Sequence, residues 1–167
     1  MDRFVVVFDA SPLAEPTAWM KQAASQADLF LVRQDDIAKA ISEDPKAREV
    51  LPNIDVVGAD PRMTPFYQAA LDKLAKGKPR VALHSVTWLT YGLKPAAVVI
   101  SFDQMQNERA KAHKLGMSDQ VYDGYVDQAK QTVLGFLKDL PKDKLLEVSG
   151  SDAQKTTAAV AFIRTKR

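Results

Sequence analysis

Short, almost continuous runs of apolar residues recur along this chain and are separated by longer amphipathic segments. Each run is rich in β-branched residues and too short for a helix, which is typical of a strand buried on both faces of a sheet. The predicted strands are residues 3–8 (RFVVVF), 28–32 (DLFLV), 80–86 (RVALHSV), 96–102 (AAVVISF) and 145–149 (LLEVS). Residues 54–57 (IDVV) are a weaker candidate, for which a loop is the alternative.

The segments between these runs carry apolar residues at helical spacing and are bounded by residues that start or stop helices. The predicted helices are 17–27, 36–51, 64–76, 103–115, 118–140 and 151–164. Thr64 and Ser118 are expected N-caps, and Pro45 marks a bend or boundary. Either Ser151 or Asp152 caps the last helix. The apolar face of the helix over 118–140 is predicted to comprise Val121, Tyr125, Val133, Phe136, Leu137 and Leu140.

Strands that alternate with helices pair in parallel through right-handed crossovers. The sequence therefore predicts an α/β fold, a three-layer, doubly wound arrangement around a mainly parallel five-stranded sheet. Because no linker, repeat or low-complexity tract interrupts the pattern, we expect a single domain over residues 1–167.

Composition excludes several classes of chemistry. The 167 residues are 46% hydrophobic and 26% charged, which are ordinary values for a globular protein. The absence of cysteine excludes disulfides, zinc–thiolate sites and a cysteine nucleophile. With His84 and His113 as its two histidines, the chain is not expected to bind a metal through histidine. No apolar run reaches the roughly 20 residues of a membrane span and no signal peptide is evident, so we expect a soluble, cytoplasmic protein.

Charge is unevenly distributed along the chain. Residues 1–70 contain seven Lys/Arg and eleven Asp/Glu, whereas residues 71–167 contain sixteen and ten. This asymmetry fits a surface in the second half that faces a polyanion such as a nucleotide or nucleic acid. Solvated, lysine-rich helix faces are the alternative explanation.

Ligands of open parallel sheets bind beyond the carboxyl ends of the strands, so the loop after the first predicted strand is the expected place for a phosphate. A phosphate-binding loop needs glycines, whose backbone N–H groups converge, and a lysine. Residues 9–17 (DASPLAEPT) contain neither, and they carry the carboxylates of Asp9 and Glu15. The usual mode of binding a triphosphate is therefore disfavoured.

Candidate functional side chains also lie at or after three other predicted strands. Asp35 or Asp36 could act as a general base, with helix capping as the alternative. His84 could contact a phosphate or a base, or serve as a structural hydrogen-bonding group. The segment 109–116 (RAKAHKLG), hereafter the candidate lid, presents phosphate-binding candidates or an ordinary solvated basic face. These candidates are Arg109, Lys111 and Lys114.

The order of these parts resembles that of P-loop kinases, especially the phage-type polynucleotide kinases. The resemblance rests on the first strand and the Thr-Ala-Trp helix (4–20), on residues 30–37 (FLVRQDDI), on the candidate lid with its following helix, and on the last strand and helix. It covers nearly the whole chain by element order. It implies that Asp35 occupies the general-base position and that Arg33 and the lid cations bind substrate or phosphate.

The phosphate-binding loop departs from that family. Glu15 stands where the resemblance expects the phosphate-binding lysine, and Thr17 belongs to the Pro-Thr pair that replaces the family's Ser-Thr. Asp9 and Ser11 complete a degenerate loop, and Gln34 stands where the family has an arginine. Losing the loop amides, the lysine and the metal should remove most phosphoryl transfer.

Three hypotheses follow. The first is a degenerate P-loop kinase-like protein, a pseudokinase that binds a nucleotide, a nucleic acid or a protein. The second is a divergent nucleotide or polynucleotide kinase with Asp35 as its base, and only this hypothesis calls for ATP and magnesium. The third is a generic doubly wound binding domain unrelated to kinases.

Overall fold

A parallel β-sheet forms the centre of the molecule. The computed structural model describes residues 3–9, 17–50, 61–84, 92–103 and 109–166. The strands within these ranges are β1 (Phe4–Asp9), β2 (Phe30–Val32), β3 (Arg80–His84), β4 (Ala97–Ile100) and β5 (Leu145–Glu147). They form one five-stranded sheet in the order β2-β3-β1-β4-β5, and every neighbouring pair is parallel. The predicted five-stranded sheet is confirmed; the predicted strand at 54–57 lies outside the described residues.

Helices connect the strands as the polar and apolar pattern predicts. In the same ranges they are α1 (Ala18–Gln26), α2 (Gln34–Glu43), α3 (Pro45–Val50), α4 (Thr64–Ala75), α5 (Arg109–Lys114), α6 (Asp119–Leu137) and α7 (Asp152–Arg164). Short 3-10 turns cover Pro61–Met63 and Lys142–Lys144. No helix in the part of the chain that the structure describes has the length and apolarity of a membrane span.

Two apolar cores lie on opposite faces of the sheet. Side chains alternate along β1, so that Val5 and Val7 enter one core while Val6 and Phe8 enter the other. Helices α2, α4 and α6 contribute to the first core, and α1 and α7 to the second. Trp19 is fully buried in the second core, where its ring meets the Phe8 ring edge-on at 5.5 Å. The predicted three-layer α/β architecture is confirmed.

Several predicted helix boundaries are confirmed by capping contacts. The hydroxyl of Ser118 accepts a hydrogen bond from the backbone of α6, and Ser151 forms a complete capping box with Gln154 on α7. Helices α2 and α3 meet at Pro45, and the carboxylate of Asp44 accepts hydrogen bonds from the first turn of α3.

Other local predictions are wrong. Thr64 begins α4 instead of capping it, because the N-cap position belongs to Met63. Asp103 is not helical: it lies in a turn after β4, where its side chain is held by contacts described below. Val121 is 58% exposed, and Tyr122 is buried in its place because its ring packs beneath the Arg109 guanidinium.

Candidate functional site

Buried polar side chains gather at the carboxyl edge of the sheet. Within the described ranges the buried polar and charged residues are Asp9, His84, Ser101, Lys155 and Thr156. The first three end or directly follow the adjacent central strands β1, β3 and β4, and the other two lie near the start of α7. Burying polar groups is costly unless they are hydrogen-bonded, so their concentration at one edge marks a specialised region.

The topology predicts a crevice at this edge of the sheet. After β1 the chain continues to α1 on one face of the sheet, whereas after β4 it continues to α6 on the other face. Since β1 and β4 are neighbours in the sheet, the chain leaves two adjacent strands toward opposite faces. Such a switch point is where open parallel sheets bind ligands.

The floor of the crevice is set by the strand register. His84 lies beside Phe8, and Asp9 lies beside Ile100, so His84 and Asp9 end neighbouring strands. The amide of Ser101 donates to the carbonyl of Asp9 over 3.0 Å. The Asp9 side chain places a buried carboxylate at the end of β1, where the resemblance expects the phosphate loop to begin.

Asp103 is the centre of a polar cluster beside this floor. Its carboxylate accepts hydrogen bonds from the Ser101 hydroxyl at 2.5 Å and from the Gly150 amide at 3.0 Å, and it pairs with the Lys155 ammonium at 2.6 Å. Partial burial alone would raise the pKa of Asp103, but the hydrogen bonds from Lys155, Ser101 and Gly150 together hold this pKa below its ordinary value. Asp103 is therefore a stable carboxylate that neutralises the buried Lys155.

The same cluster fixes the turn between β5 and α7. Gly150 has a φ of +95°, a conformation that favours glycine, and a Cβ added there would collide with the Gln154 side chain. Gln154 in turn completes the capping box with Ser151. Hence Asp103 joins the end of β4 to the turn and first half of α7, which together form one side of the crevice.

The candidate lid is held against α6 by a second set of ion pairs. The guanidinium of Arg109 donates to Asp119 at 2.8 Å and to Asp123 at 2.5 Å. His113 Nε2 lies 2.8 Å from the same Asp119 oxygen. Hydrogen bonds to Asp119 and Asp123 raise the pKa of Arg109, and hydrogen bonds from Arg109 and His113 lower that of Asp119. Arg109, the predicted phosphate-binding arginine, therefore already donates hydrogen bonds to carboxylates of α6.

The remaining lid cations differ from Arg109. Lys111 and Lys114 are exposed on α5. Neither side chain forms an ion pair among the residues that the structure describes. They are the two predicted lid cations available to a polyanion.

The predicted general base lies at the β2 end of the same edge. Asp35 and Asp36 are exposed in the first turn of α2, and Arg33 holds its N-cap position. The Arg33 guanidinium lies 3.7 Å from the Asp35 carboxylate. Since β3 separates β2 from β1, these residues are set apart from the crevice between β1 and β4.

The segment predicted to be a degenerate phosphate loop, residues 9–17, is described only at its two ends. Ser11 and Glu15 lie outside the described residues. Thr17 occupies the N-cap position of α1 but makes no side-chain capping bond there. Its buried hydroxyl has no hydrogen-bond partner in the described part of the chain.

Sequence reasoning did not single out Asp103 and Lys155. Lys155 had a detectable signal: it precedes Ala159 and Ile163 at four-residue intervals, so it lies on the buried stripe of α7. A lysine on such a stripe requires a buried partner. Asp103 follows a predicted buried strand, but nothing local identifies it as that partner, 52 residues away.

Within the described ranges, no group of three or more histidine, cysteine or acidic residues could hold a metal ion.

The fold and the polar edge define an α/β protein with a doubly wound parallel sheet. No protein-family description matches the sequence, and no curated protein is detectably similar to it. Among solved structures, the chain is similar to an uncharacterised protein from Eubacterium ventriosum, with a TM-score of 0.53 and 8% identity over 98% of this chain and 99% of that one. This likeness supports the fold alone.

Two kinase structures are also similar in outline. A sugar kinase from a Janibacter species has a TM-score of 0.46 and 13% identity, covering 97% of this chain and 95% of its own. A gluconokinase from Sinorhizobium meliloti has a TM-score of 0.48 and 14% identity, covering 98% of this chain and 93% of its own.

Proposed function

We propose that this chain is a degenerate P-loop kinase-like protein, folded as one domain, that acts as a binding module and does not transfer phosphate. The ion pairs of Arg109 and Lys155 are the observation that carries the proposal. Phosphoryl transfer depends on cations that meet the charge developing on the phosphate oxygens. Here Arg109 is bound by two carboxylates of α6 and Lys155 by Asp103.

The pairing of Asp103 with Lys155 supports the same conclusion. The two charges cancel, so this pair offers no net positive charge to a polyphosphate that lies between β1 and β4. A ligand of the crevice is therefore expected to be neutral or weakly charged, with hydrogen-bonding groups.

A polyanion would use a different surface. Lys111 and Lys114 on α5 are exposed and can contact phosphates from outside the crevice. Binding through them would depend steeply on salt, whereas a neutral ligand of the crevice would bind with little salt dependence.

A binding screen by thermal denaturation tests the proposal. The full chain is heated with magnesium and ATP, nucleosides, single-stranded oligonucleotides or peptides, and a ligand at 100 times its dissociation constant should stabilise the fold by about 2.7 kcal/mol. We expect no magnesium-dependent stabilisation by ATP and no release or transfer of its γ-phosphate. Glu15→Lys, which restores one positive charge to the loop, should not create activity.

An active kinase is the second candidate, favoured by the exposed position of Asp35 beside Arg33 at the carboxyl edge. It predicts that Asp35→Asn abolishes turnover while leaving ATP binding intact. The matched control Glu43→Gln changes another exposed carboxylate on the same helix. Magnesium-dependent phosphate transfer that is lost in Asp35→Asn but kept in Glu43→Gln would establish this candidate and refute the binding module.

A further inference from the structure

A cavity lies at the opposite end of the sheet from the crevice. It has a volume of about 390 Å³. The segment before β4 contributes Leu93 and Lys94, and the segment before β5 contributes Phe136, Leu140 and Lys144. Because both segments precede their strands, the cavity lies at the amino ends of β4 and β5.

The inner surface of this cavity is apolar. Leu93, Phe136 and Leu140 are half-buried and pack against the first core, so the base of the cavity continues that core. Small-molecule sites are commonly concave, mainly apolar cavities of roughly 300–1,000 Å³ with a few charged groups that set orientation. The amino-end cavity has this size and this composition.

The charged residues that line the cavity give it a net positive charge. Lys94 is exposed and Lys144 is half-exposed, and neither forms an ion pair among the residues described. Asp139 is the one carboxylate among the lining residues. Two lysines against one aspartate leave the rim positive, which complements an anion.

We propose that this amino-end cavity binds a small amphipathic carboxylate, with its apolar body against Leu93, Phe136 and Leu140 and its head group near Lys94 and Lys144. A singly charged head group fits better than a doubly charged one, because Asp139 shares the cavity and repels additional negative charge. The cavity lies at the other end of the sheet and shares no residue with the crevice on which the proposed function depends.

Titration calorimetry of the full chain with decanoate, below the concentration at which it forms micelles, tests this site. We expect saturable binding at one site per chain. The double variant Lys94→Glu/Lys144→Glu should weaken binding at least tenfold. Lys21→Glu/Lys39→Glu is the matched control, because it changes net charge equally at two exposed lysines on α1 and α2, and it should alter affinity less than threefold.

Two further measurements locate the ligand. Decanol, which keeps the apolar body but lacks the charge, should bind at least tenfold more weakly than decanoate. In NMR spectra of the unmodified chain, decanoate should shift the side-chain signals of Leu93, Phe136 and Leu140 before others. Absence of saturable binding, equal weakening in both double variants, equal affinity for decanol, or shifts confined to other residues would overturn the proposal.

Discussion

Four cations at the two ends of the sheet differ in whether a carboxylate of the same chain pairs with them. At the carboxyl end, Lys155 and Arg109 are each bound by carboxylates of the same chain. At the amino end, Lys94 and Lys144 line a cavity without an ion-pair partner in the described residues. The position of a candidate site in a doubly wound fold therefore does not by itself predict its ligand. A cation that already pairs with a carboxylate of the same chain is less available to a ligand than an unpaired one.

The largest expected effect comes from breaking the buried ion pair at the carboxyl end. Asp103→Asn leaves the Lys155 ammonium buried without a counter-charge, because Lys155 is 3% exposed. Removing one partner of a fully buried ion pair lowers the free energy of unfolding by about 3–5 kcal/mol. Since Asp103 is partly exposed, we expect urea denaturation to show a loss of about 2–3 kcal/mol.

The matched variant separates charge from packing. Lys155→Met/Asp103→Asn removes both charges while keeping an unbranched apolar side chain of similar length on α7. It should be more stable than Asp103→Asn alone, since no unpaired charge is left buried. A double variant at least as unstable as the single one would show that the ion pair is not the source of the effect.

The turn beside this ion pair should also be sensitive to substitution. Gly150→Ala forces a Cβ into a position at φ +95° that collides with Gln154, and we expect a loss of about 1–2 kcal/mol in the free energy of unfolding. Gly135→Ala on α6 is the control, because nothing lies within 4 Å of its added Cβ. That substitution should stabilise the helix by about 0.5–1 kcal/mol. Equal effects at the two glycines would contradict the described turn.

The difference in the free energy of unfolding between the unmodified chain and the Asp103→Asn variant should decrease as the pH falls. The pKa of Asp103 in the folded state lies below its ordinary value of 3.8. Such a group contributes stability that is present above the unfolded-state pKa and is lost as the pH falls through the lower folded-state pKa. Urea denaturation should therefore give a constant difference at pH 5–7 that shrinks below about pH 4. A difference that grows on acidification would contradict the assignment.

The smallest effect concerns the lid, where the pairs are exposed. Asp119→Asn/Asp123→Asn releases Arg109 with little change in thermal stability, since exposed ion pairs contribute little. For an oligonucleotide bound through the lid, the released guanidinium should steepen the dependence of log affinity on log salt by about one. Asp127→Asn/Asp152→Asn, which removes two other exposed carboxylates, should leave this slope unchanged. Equal slopes in both variants would mean that Arg109 is not restrained by its ion pairs.

The sequence pattern predicted the strands and helix starts, which depend on residues that are close together in the chain. The runs around Val6, Val81 and Val98 predicted three central strands because a fully buried parallel strand tolerates few polar residues. Ser118 and Ser151 predicted helix starts because capping needs only neighbouring backbone. Tyr122 was missed because Val121 fits the helical period nearly as well, and contact with Arg109 decides between them.

The sequence pattern did not reveal which residues, far apart in the chain, form ion pairs. The predicted role of Arg109 as a phosphate ligand remains a prediction, but its carboxylate partners on α6 could not be identified from composition. Likewise, Asp103 and Lys155 meet only after β4, β5 and α7 have assembled. These contacts depend on the tertiary fold, and they bear most directly on the proposed function.

Titration calorimetry of the unmodified chain with ATP and magnesium, with the γ-phosphate followed in the same samples, tests the central claim most directly. If internal carboxylates neutralise the cations that phosphate transfer needs, there should be no saturable magnesium-dependent heat and no transferred phosphate. Saturable, magnesium-dependent binding accompanied by transfer of the γ-phosphate to a hydroxyl would contradict the account.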